Sequence, residues 1–133
     1  MNANPVFAAP VAPTLDASVS RAPVTTLESF DVYCVALDAC RVSVPISTAL
    51  TASLRDQLVR ASSSAVLNVA EGFGSFSRGV KRRHYEIARG SATECVAVLD
   101  LAVALGIVTE TSEARGLFAR VAMMLAKLEA RFR

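Results

Sequence analysis

The sequence predicts an all-α protein, an antiparallel up-down four-helix bundle. Three observations carry this reading. Apolar residues recur at alternating steps of three and four through four segments, the period of one helix face. Hydrophobic residues make up 53% of the chain, yet aromatics are only 6% and tryptophan is absent; small and aliphatic side chains suit close-packed helices better than a sandwich of strands. Short connections separate the four segments, so each stripe can bury against its neighbours. A chain of 133 residues has room for a single core of this kind.

Four of the five prolines, Pro5, Pro10, Pro13 and Pro23, lie in the first 25 residues among Ala, Val, Ser and Thr. That composition predicts a mobile tail over 1–25, with the bundle over 26–133. The first helix starts near Thr25 or Thr26 and ends before Pro45, because the residue preceding a proline is pushed out of the helical region. Its apolar face is expected to be Phe30, Tyr33, Leu37, Cys40 and Val44. The second helix, Thr51 to Glu71, carries Leu54, Leu58, Ala61, Ala65 and Val69, with Gly72 as its stop. After the loop GFGSFSR, a third helix runs from between Ser77 and Val80 to Leu105, terminated by Gly106. It shows Ala88, Ser91, Cys95, Val98, Ala102 and Leu105 on one stripe and Tyr85, Ala92 and Leu99 on a flanking one, so it has two faces to bury. The small residues Ala88, Gly90, Ser91 and Ala92 allow close approach of a neighbour, and the extra stripe predicts a subunit contact. The fourth helix, started by Thr109 or Thr111, carries Phe118, Val121, Leu125, Leu128 and Phe132, with Gly116 a weak point of about 1 kcal/mol.

A net charge of +2 does not by itself argue for nucleic acid. Cys34, Cys40 and Cys95 match no zinc-ligand spacing and read as buried, reduced thiols of a cytoplasmic protein. No uninterrupted apolar run reaches the length of a membrane span, and the N-terminal stretch lacks the basic start of a signal peptide. Gly74, Gly79 and Lys81 imitate a phosphate loop, but the lysine is one residue out, Arg82 stands where a hydroxyl belongs, and a helix precedes the loop instead of a strand. With one histidine, His84, there is neither a carboxylate-histidine metal set nor a base for a nucleophile. His84 reads as a solvated or phosphate-facing side chain. The expectation is a protein that is not an enzyme and uses no metal or cofactor.

Two groups of polar residues remain. Ser64, Asn68 and Glu71 share a face of the second helix, and Ser91 and Glu94 with Gly90 occupy comparable positions on the third. In an antiparallel pair they would meet as a hydrogen-bond network that fixes register, since each unpaired buried polar group costs about 1–3 kcal/mol. Arg78, Lys81, Arg82, Arg83 and Arg89 form a basic run opposed only by Glu86. It lies at a helix N-terminus, where the dipole disfavours positive side chains and welcomes an anion, which marks these five residues as the candidate nucleic-acid contact.

QLVRASSSAVLNVAEGFG followed by HYEIARGSATE resembles the four-helix bundle family of proteins encoded in intervening sequences of bacterial large-subunit ribosomal RNA genes. The resemblance covers about residues 27–131 and is most specific in Arg60, Ala61, Ser64, Asn68, Ala70, Glu71 and Gly72 paired with Ile87, Ala88, Gly90, Ser91 and Glu94. One departure is Val66, where the family commonly has proline, which predicts a straighter second helix. The resemblance implies assembly of the bundle into a ring, most often a homopentamer. The chain is similar also to accessory proteins of diversity-generating retroelements, which implies RNA or DNA, or a protein such as a reverse transcriptase, as partner.

Overall fold

The computed structural model describes residues 26–133, which form four helices and no strand. The expected mobile tail over 1–25 lies outside the described residues. A short 3-10 turn, Thr26–Ser29, leads into α1, Asp31–Ser47; α2 is Ala52–Gly74, α3 Arg78–Ala104 and α4 Ser112–Arg131. Each helix packs on two others, α2 on α3, α3 on α4, and α1 on α4 and α2. The cross-links run in opposite senses along each pair: Ser64 meets Ser91 while Gly72 meets Lys81. Arg115 likewise meets Asp100 while Arg131 meets Arg78. That ordering is antiparallel.

Local chemistry sets the ends. Thr51 caps α2 by accepting from the Leu54 N–H at 3.3 Å, and Ser77 caps α3 by accepting from Val80 N–H at 3.3 Å. Gly106 takes φ 71°, a left-handed conformation that a side chain would strain, and turns the chain out of α3 with Ile107 N–H donating to the Ala102 carbonyl at 3.0 Å.

The expected faces of α2 and α4 hold at Leu54, Leu58, Ala61, Ala65, Val69, Phe118, Val121 and Leu125, all buried. Tyr85, Ala88, Ala92, Cys95, Val98, Leu99 and Ala102 form the buried side of α3, whereas Leu105 is exposed. The α1 face differs: Val32, Val35, Ala36 and Ala39 are buried, while Val44 is exposed and Phe30, Tyr33, Leu37 and Cys40 lie at the margin. The small Ala36 and Ala39 let α1 approach its neighbours closely, and the larger side chains flank the contact.

Three further expectations are corrected. α1 continues through Pro45 to Ser47. Pro45 is exposed and in the last turn, where the surface leaves the carbonyl it cannot serve open to solvent, and Ser47 and Thr48 hydroxyls donate to the Val44 and Pro45 carbonyls at 2.6 and 2.7 Å. α2 passes Gly72 without turning and ends at Gly74, continuous through Val66. Of the three free cysteines only Cys95 is buried; burial pushes its thiol up to about 12, which disfavours the thiolate, and Cys34 and Cys40 are half-buried. Among the described residues no helix is long and apolar enough to cross a membrane, and no group of His, Cys, Asp and Glu could hold a metal.

Candidate nucleic-acid interface

The basic run occupies the first turns of α3, at the end of the bundle where α2 and α4 finish. Arg78, Arg82 and Arg89 lie near one side of the helix by spacing, and α4 engages two of the three, Arg78 and Arg89. Arg78 Nη2 donates to the Arg131 carbonyl at 2.7 Å and its guanidinium lies 5.4 Å from the Phe132 ring centroid. It therefore closes the C-terminus of α4, where a cation is favoured by the dipole. Arg89 clamps Glu129 with two hydrogen bonds, from Nε to Oε2 and from Nη2 to Oε1, the second at 3.2 Å. Those bonds and the carboxylate charge hold the Arg89 guanidinium above its ordinary range.

Lys81 is also engaged: Nζ donates to the Gly72 and Phe73 carbonyls at 2.8 and 3.0 Å, completing the last turn of α2. Replacing Lys81 by methionine keeps most of the aliphatic stem and removes both bonds. A loss of about 1 kcal/mol in a denaturant melt is expected; an unchanged midpoint would show that water serves those carbonyls equally well.

Arg82 and Arg83 remain. Both are exposed. Arg83 reaches Glu86 at 3.7 Å with both side chains at least half in water, a weak restraint, and Arg82 has no ion-pair partner among the described residues. The five-residue basic site thus separates into three fasteners and two outward guanidinium groups. The separation was not legible from spacing, which puts Arg82 on the same side as Arg78 and Arg89 but does not show which of the three reaches a partner.

The polar network forms in part. Asn68 Nδ2 donates to the Ser64 carbonyl and Oγ at 2.9 and 3.2 Å, and Ser91 Oγ donates to Ser64 Oγ at 2.8 Å across α2 and α3. Asn68 Oδ1 is then the acceptor, so His84 Nδ1, 2.9 Å away, carries a proton and donates. His84, expected to be solvated or phosphate-facing, is half-buried and joins this network. Glu71 and Glu94 stay outside it: both are exposed, and the serines and the amide satisfy one another without them. Among the described residues no buried side-chain nitrogen or oxygen lacks a partner, so the network is satisfied within itself and locks the register of α2 against α3.

Phe76, in the connection between α2 and α3, was missed by periodicity because it belongs to no helix; its ring is 102% exposed. The signal that could have found it is an aromatic inside a basic loop.

A protein-family model described as 23S rRNA-intervening sequence protein matches residues 30–127, which take in α1 to α3 and most of α4. The chain belongs to this family. The match contains both the Ser64–Asn68–Ser91 network and the basic start of α3. No curated protein and no solved structure matches the chain. The intervening-sequence proteins are small helical proteins rather than a known enzyme family.

Proposed function

We propose that this protein is a non-enzymatic, self-assembling helical bundle that binds RNA or DNA phosphates through the first turns of α3. The observation that carries the reading is the pair Arg82 and Arg83, two exposed guanidinium groups in the second turn of α3, just beyond the positive end of the helix dipole. The dipole does not relieve them, Arg82 has no ion-pair partner among the described residues, and Glu86 restrains Arg83 only weakly from 3.7 Å, so an anion gains from both. Contacts of this kind supply affinity without sequence discrimination, and no element that reads a groove is evident among the described residues. Assembly into a ring, implied by the family resemblance, would multiply weak phosphate contacts.

In a filter-retention assay, Arg82→Ala/Arg83→Ala binds RNA more weakly than wild type, and its plot of log affinity against log salt is shallower by roughly 1.5, as expected for two lost single-strand phosphate contacts. The melting temperature stays the same, since neither side chain fastens a helix. Equal affinity and equal salt slope for the two proteins would discard the reading.

A second reading, an adaptor that binds a protein, is favoured by exposed apolar residues along α2 and α3, Val59, Leu67, Val80 and Ile87. Native mass together with the ultraviolet absorbance ratio separates the two, because a copurified nucleic acid raises the ratio and a protein partner raises only the mass.

A further inference from the structure

We propose that Phe76 is a base-stacking residue, so that the ligand of this end of the bundle is a single-stranded nucleic acid. The inference rests on the phosphate-binding reading above and adds what the bases do.

The other phenylalanines among the described residues are packed. Phe118 is buried in the core, Phe30 and Phe73 have ring centroids 4.9 Å apart, and Phe132 lies 5.9 Å from Tyr85. Phe76 alone among them holds its whole ring in water, forgoing the roughly 1.5–3 kcal/mol that burying a large apolar side chain returns. The loop that presents it is held at both ends. Ser75 N–H donates to the Gly72 carbonyl at 3.3 Å, Ser77 caps α3, and Lys81 reaches back to the Gly72 and Phe73 carbonyls. A ring on such a short, fastened connection loses little freedom when it meets a ligand.

Charge selects among occupants. Phe76 is two residues before the start of α3, and Arg82 and Arg83 follow within about 8 Å of helix rise. An apolar protein surface covering the ring would have to desolvate those guanidinium groups as well. A nucleic-acid strand satisfies both, phosphates on the arginines and a base on the ring. A duplex keeps its bases stacked on one another and offers the ring nothing, whereas a single strand exposes the face of each base.

Binding of labelled oligouridylate, oligothymidylate and a duplex of equal length is measured for wild type and Phe76→Ala. Phe76→Ala weakens single-strand binding by roughly 5- to 150-fold, the range for one lost stack, and leaves duplex binding unchanged. The two single strands tell RNA from DNA. Because the chain has no tryptophan, Phe76→Trp adds a lone reporter whose emission is quenched when a single strand saturates it. If wild type and Phe76→Ala bind single strands equally and the tryptophan stays bright, stacking is overturned while the arginine reading stands. Equal weakening for strand and duplex also overturns it, as does a lower native mass of Phe76→Ala, which would assign the ring to a contact between copies. Wild type that retains no nucleic acid at all overturns both readings.

Discussion

Exchanging Gly72 for alanine lowers the stability of the bundle by about 2 kcal/mol, seen as a melting temperature lower by roughly 10 °C. Helix propensity alone predicts the opposite sign, since alanine is favoured over glycine in a helix by about 1 kcal/mol. The packing decides. A Cβ at Gly72 would lie 2.5 Å from Tyr85 Cε1 and 2.8 Å from Cδ1, well inside contact distance. Tyr85 cannot swing aside, because it is 2% exposed and its ring stands 6.2 Å from Phe30 and 5.9 Å from Phe132, with Phe73 behind Phe30. An added methyl therefore displaces a cluster of four aromatic rings or the end of α2. Gly90 and Gly116, inside α3 and α4, have nothing within 4 Å of the same added atom, so there alanine should raise the melting temperature. A Gly72→Ala protein that melts with or above wild type would show that Tyr85 has room the packing denies it.

Gly72 also shows where the sequence is legible and where it is not. A glycine at the end of an apolar stripe reads as a helix stop, yet α2 runs two residues past it. Its role is close approach to a ring thirteen positions away, and no local pattern reports a neighbour's volume. The stripes of α2 and α4 could be read because each has one dominant apolar side, and the two stripes read on α3 merge into one buried side from Tyr85 to Ala102, whereas α1 is apolar on several sides and the choice falls to the small Ala36 and Ala39. Pro45 misled for a related reason: the rule against proline concerns an interior carbonyl, and an exposed last turn can leave that carbonyl to water. At the candidate interface, Ser64, Asn68 and Ser91 were legible as groups that must pair, while Glu71 and Glu94 were not separable from them by spacing. A carboxylate at a helix surface takes water at no cost, so sharing a helix side with a buried amide does not bring it inside.

Removing the Arg89 guanidinium is expected to cost about 2 kcal/mol of stability and to leave nucleic-acid affinity unchanged. Glu129 is buried on α4, its side chain 11% exposed, and Arg89 supplies both of its charge-assisted hydrogen bonds. Breaking a buried pair at one partner costs about 3–5 kcal/mol because a carboxylate is left desolvated and alone. The Arg89 side chain is 43% exposed, so water reaches part of the pair and the figure is reduced. Arg89→Ala should therefore melt well below wild type, while the double variant Arg89→Met/Glu129→Leu, which removes both charges and keeps the volume, should recover most of the loss. The contrast with Arg82→Ala/Arg83→Ala is the point of the experiment. Those substitutions should move affinity and spare stability, and this one should move stability and spare affinity, although all three arginines stand in one basic run of α3. If Arg89→Ala instead loses affinity at constant melting temperature, the division of that run into fasteners and phosphate contacts is wrong, and Glu129 is a carboxylate that Arg89 can leave in order to meet a ligand.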